Sequence, residues 1–79
     1  MRTIATPAHI GTILASRRKH LKLSQAEVAQ RIGLSQNRLS VLESDPSSLT
    51  SKQLLALLNV LGLEMTLGER KENPSKAEW

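Results

Sequence analysis

Four side chains near the middle of the chain, Gln36, Asn37, Ser40 and Val41, have the types and spacing of a recognition surface rather than of a catalytic one. At helical spacing Leu39 and Leu42 turn toward a core. That leaves Asn37, Ser40, Val41 and Ser44 facing away from it, with Gln36 at the exposed start. A carboxamide donates and accepts side by side, so Gln36 and Asn37 each match the N6/N7 edge of adenine. Ser40 is short enough to read a base at close range, and the Val41 methyls suit the methyl group of thymine. A helix with such a face fits the major groove of double-stranded DNA.

A reader of bases also needs contacts to phosphates, which set affinity and register without choosing sequence. Lys22, Arg31 and Arg38 are the expected phosphate cations, Arg38 because it lies on the flank of its helix. Ser35 serves as a helix cap and is placed to touch phosphate, where exposed N–H groups at a helix start favour an anion. Arg17 and Lys19 read as solvated. Residues 1–44 hold seven Lys/Arg against two Glu, a balance of +5, while residues 45–79 hold four against five acids, a balance of −1. Positive charge therefore gathers in the half that carries the polar helix, as a polyanion binder requires.

Other chemistries lack their residues. There is no cysteine, hence no disulfide framework and no thiolate metal site. His9 and His20 lie eleven apart on one helix, about 16 Å along its axis and too far to share an ion, so no metal is expected. No serine sits in a glycine-flanked nucleophile turn and no glycine-rich phosphate loop occurs, so neither an enzyme nor a cofactor is expected. No run of about 18 apolar residues exists to span a membrane. Pro7, His9 and Thr12 interrupt any apolar leader, and the expected location is the cytoplasm, on the nucleoid when DNA is bound.

The elements that must hold these side chains can be read in order. Seventy-nine residues make one small domain. Thr6 caps a first helix with Pro7 at its first position, Ile10, Ile13, Leu14 and Leu21 lie near one face, and Arg17 to His20 suit the negative end of its dipole. Gly11 weakens that helix by roughly 1 kcal/mol relative to Ala. Ser24 and Glu27 form a capping box that opens a second helix with Ala26, Val28, Ala29 and Ile32 at its apolar positions. Gly33 ends it, Leu34 plugs the corner and Ser35 caps the third helix, which runs to about Ser44. Asp45-Pro46 punctuates, Ser47 to Leu49 read as a loop, and Thr50 with Gln53 forms a second capping box. Leu54, Leu55, Leu57, Leu58 and Leu61 give the fourth helix a broad apolar face, and Gly62 terminates it.

The period then changes. Leu63, Met65 and Leu67 alternate with Glu64 and Thr66, a strand pattern. One isolated strand cannot satisfy its own backbone, so pairing with the same strand of a second copy across a two-fold axis is expected. Residues 68–79 are polar and read as a disordered tail, with Trp79, the only aromatic residue, at its end. The expected organisation is an arm at 1–5, a domain at 6–62, a dimerisation strand at 63–67 and a tail at 68–79.

Gln25, Ala29, Gly33, Leu34, Gln36, Leu39 and Leu42 match the spacing of the phage-repressor-like (Xre, Cro/C1-type) helix-turn-helix family. The chain resembles that family from about Ile10 to Leu61. The resemblance implies an all-α fold of four or five helices whose third helix enters the major groove. It also implies that Gln25 bonds phosphate and braces the glutamine of the next helix, and that Arg18 pairs with Glu43 in a structural role. A narrower resemblance is to HipB-type antitoxins, the repressor partners of HipA-type kinases. It rests on LGLEMTL at 61–67, on the short polar tail and on the ending Glu78-Trp79.

That resemblance implies a homodimer that binds palindromic operators in double-stranded DNA, represses its own operon and neutralises a HipA-type serine/threonine kinase through Trp79 among other contacts. An indole buries about 150–250 Å², worth roughly 4–6 kcal/mol before the cost of ordering the tail. Two alternatives stay open from the sequence: a stand-alone regulator of the same fold, and an interaction module that has lost DNA binding.

Overall fold

The computed structural model describes residue 4 and residues 6–69. Among them the chain is all-α: α1 (Pro7–His20), α2 (Gln25–Arg31), α3 (Gln36–Ser44) and α4 (Ser51–Val60), with a 3-10 turn at Pro46–Ser48 between the last two. Each α-helix starts on the hydroxyl that the sequence supplies. Thr6, Ser24, Ser35 and Thr50 accept from the backbone N–H of His9, Glu27, Arg38 and Gln53. Both expected capping boxes close, Glu27 and Gln53 accepting in return from the N–H of Ser24 and Thr50 at 2.9 and 3.0 Å. Four N-terminal N–H groups per helix need such partners, which is why these short helices begin where they do.

The core is a single cluster. Leu14 of α1, Val28 and Ala29 of α2, Leu39 of α3, and Leu57 and Leu61 in and just after α4 are all buried in it. Leu42 is fully buried as well. At Ala29 a small side chain lets α3 come close to α2. The corner between those helices is a glycine C-cap: Gly33 has φ 73°, and the Leu34 N–H donates to the Ala29 carbonyl at 2.9 Å. The end of α1 closes in the same way, with the Leu23 N–H on the Arg18 carbonyl at 3.0 Å, but its left-handed residue is Lys22 at φ 59°.

Several details differ from the sequence reading. Pro46 to Ser48 form a 3-10 turn rather than the start of an open loop, because the Asp45 carboxylate accepts from the Ser47 hydroxyl and N–H. Leu55 is 54% exposed, since Leu54, Leu57, Leu58 and Leu61 already fill the inward stripe and Leu55 is a further 100° round the helix. Leu21 and Ala26 are exposed too, one at the cap of α1 and the other on the outer side of α2.

The expected strand at 63–67 is not formed within this chain. Among the described residues, 63–69 are neither helix nor ladder, and after the Leu63 N–H donates to the Leu58 carbonyl no further backbone bond is made. Leu63 packs on the core, Met65 is half exposed and Leu67 is 91% exposed. The described part of the chain offers this segment no second strand to pair with. Most of the expected arm at 1–5, nearly all of the expected tail and the Trp79 anchor lie outside the described residues.

Candidate nucleic-acid interface

The third helix is held from behind by charge. Arg18 of α1 is buried, and its Nε and Nη2 donate to the two carboxylate oxygens of Glu43 on α3 at 2.8 and 3.2 Å. Its Nη1 donates to the Leu23 carbonyl at 3.0 Å. Gln25 at the start of α2 adds its Nε2 to Glu43 Oε1 at 3.0 Å. A bidentate guanidinium–carboxylate pair fixes direction as well as distance. Here it links α1, the α1–α2 turn, α2 and α3 at one point. A buried charge left without a partner is costly, and no buried side-chain polar atom among the described residues lacks one. The Arg18–Glu43 pair expected from the resemblance is therefore present, and it is structural.

The front of α3 carries no such ties. Ser35, Gln36, Asn37, Arg38 and Val41 are exposed, and Ser40 is half-buried. The side chains of Gln36, Asn37 and Arg38 make no hydrogen bond to any other described residue, so their donors and acceptors face water. Ser44 donates from its hydroxyl to the Ser40 carbonyl at 3.1 Å, which turns it back on its own helix. Val41, 50% exposed, is an apolar spot on an otherwise polar surface.

Placement of the remaining residues is mixed. Lys22 and Arg31 are exposed, in the α1–α2 turn and at the end of α2. Gln25 is half-buried and engaged with Glu43; no bond joins it to Gln36. Arg17 is not the free cation that the sequence suggested. It is half-buried, and its Nε caps the end of α4 by donating to the Leu61 carbonyl at 2.9 Å. It stands three, four and seven residues from Leu14, Ile13 and Ile10, on the apolar face of α1, and α4, distant in sequence, gives its guanidinium a partner.

A second feature lies between α1, α4 and the segment after α4. Ile10, Ile13, Leu54, Leu58, Leu63 and Met65 line much of a largely apolar groove of about 610 Å³, with Arg17, His20 and Glu64 also in its wall. Among the described residues no helix is long and apolar enough to cross a membrane, and no three His, Cys, Asp or Glu residues group closely enough for a metal ion.

Two helices set at a glycine corner, the second presenting a polar face and both clamped to a third, define a helix-turn-helix protein. The helix-turn-helix family model HTH_3 matches residues 14–67. The fold is similar to a HipB variant in complex with an O2 20mer, with TM-score 0.81 and 30% identity over 90% of this chain and 99% of that one. It is similar also to a HipA–HipB–O2–O3 complex (TM-score 0.82, 28% identity, 90% and 100% covered) and to a HipB–O4 20mer complex (TM-score 0.81, 28% identity, 90% and 100% covered). No curated protein sequence matches. The chain belongs to the helix-turn-helix family, as a member of its HipB type.

Proposed function

We propose that the chain is a dimeric DNA-binding antitoxin that binds palindromic operators, represses its own operon and neutralises a HipA-type serine/threonine kinase. The observation that carries the DNA reading is the contrast across α3, with Glu43 tied down behind and Gln36, Asn37 and Arg38 open in front. Gln36, Asn37, Ser40 and Val41 contact base edges. Lys22, Arg31, Arg38, Ser35 and the free N–H of the Gln25 amide contact phosphates. Similarity to HipB structures solved in complex with an O2 20mer and with HipA, O2 and O3 supports both partners.

Dimerisation joins two copies through Leu63, Met65 and Leu67, whose segment has backbone groups unmet among the described residues. Two α3 helices then enter successive major grooves about 34–36 Å apart, and the operator is an inverted repeat. With about three phosphates neutralised per half-site, the log–log salt slope is roughly −5. Residues 68–79 carry the Trp79 anchor to the kinase.

One experiment with two arms tests this. Full-length protein is used to select duplexes from a random pool, and the same protein is mixed with the HipA-type kinase from its native host. Inverted repeats in the first arm and a stable complex in the second are expected. Removal of residues 73–79 should weaken the complex and leave DNA binding nearly intact. Equal binding to all duplexes rejects the base-reading role, and an undiminished complex after truncation rejects the anchor.

A further inference from the structure

We infer that Gly11 is a positioning residue for the recognition helix, an inference that rests on the DNA-reading role of α3. Gly11 is buried in the interior of α1, where any other residue except proline would favour the helix more. Its reason is what stands opposite. A Cβ built on Gly11 would overlap the backbone carbonyl oxygen of Glu43 and lie 3.1 Å from Pro46 Cγ. The backbone of α1 thus rests directly on the last turn of α3 and on the proline that follows it.

Glu43 is therefore gripped twice. Arg18 and Gln25 hold its carboxylate, while Gly11 receives its carbonyl. The two contacts come from α1 residues seven positions apart, two turns of one helix face, so they fix the tilt of α3 as well as its depth. The carboxylate bonds have some give because side-chain rotamers can adjust. The Gly11 contact has little, since both sides are backbone. A methyl group there must drive the two helices apart until the overlap is relieved. Ser40 and Val41 lie within one turn of Glu43 and move with it. A recognition geometry tolerates roughly 0.5 Å of displacement.

The inference predicts a sign opposite to the ordinary one. Gly to Ala inside a helix usually stabilises, so Gly11→Ala should raise Tm if the glycine only interrupts α1. It should lower Tm if the close approach matters. The specific test is the ratio of affinities for a duplex selected by the wild-type protein and for random duplex, at fixed salt.

Gly62→Ala is the matched control. Gly62 has φ 67°, so alanine strains the backbone there, yet its Cβ would meet only Arg17 Nη2, at 3.5 Å, and nothing of α3. Gly11→Ala should lower the ratio about tenfold, and Gly62→Ala should leave it within about twofold at a similar loss of Tm. Pro46→Ala loosens the same seam without overlap and keeps the test alive if Gly11→Ala does not fold; its ratio should fall about threefold. Unchanged ratios in the Gly11 and Pro46 variants, or in Pro46→Ala alone where the other does not fold, overturn the inference. A wild-type protein that selects no duplex at all overturns instead the base-reading role on which it rests.

Discussion

The polar face of α3 and the apolar groove between α1 and α4 are built in opposite ways. Behind α3 every buried polar atom is matched: Arg18, Gln25 and Glu43 form a closed network, and the front is free to bond elsewhere. The groove has no comparable network, and Met65 and Thr66, both exposed, form part of its wall. The first surface is finished by the chain itself and waits for a polar ligand. The second has apolar side chains half exposed and a segment whose backbone groups beyond Leu63 find no partner among the described residues. In the proposed function a rigid recognition helix needs internal support, whereas the segment proposed to join copies can be left incomplete.

The largest test of this contrast is to break the support of α3. Glu43→Ala strands the Arg18 guanidinium, which has about a tenth of its side chain exposed, and should cost about 3–5 kcal/mol in urea unfolding. A loss under about 1 kcal/mol would mean that solvent replaces the carboxylate and that the network is not closed. Next comes the groove. Met65→Lys should leave the monomer fold intact and raise the dimer dissociation constant roughly 10- to 100-fold in sedimentation, from about 1.5–3 kcal/mol of lost burial. An unchanged dimer would place the joint elsewhere.

On the recognition face, Gln36→Ala and Asn37→Ala should each cost about 1–3 kcal/mol on a selected duplex, little on random duplex, and almost nothing in stability. The smallest effect is in the second capping residue of α2. The Ser24 backbone N–H and then its hydroxyl hold the Glu27 carboxyl below its ordinary value. A carboxylate depressed on folding adds stability above its unfolded value, and that share is lost as pH falls through the depressed value. Acid titration of stability should thus show a small step below the usual carboxylate range that Glu27→Gln abolishes. Glu27 is fully exposed, so the step is slight.

The caps, the glycine corner and the division of α3 into two faces were legible because they depend on residues three to four apart. What was not legible depends on partners far along the chain. Arg17 lies 44 residues from the Leu61 carbonyl it caps, so its charge suggested solvent although its spacing puts it on the apolar face of α1. Gly11 read as a weak point in α1 until Glu43 and Pro46 were seen against it. Leu55 was assigned inward with its neighbours because a run of leucines does not state how wide the buried stripe is. The alternation at 63–67 is a strand signal that needs a second strand to become a ladder, and the described residues supply none.

The most direct measurement is a crystal structure of the dimer on a duplex selected by the wild-type protein. The account predicts α3 in the major groove, with the Gln36 and Asn37 amides within about 3 Å of base edges and Glu43 still bound to Arg18. A complex in which that face points away from the duplex, or in which α3 touches only phosphates, would contradict it.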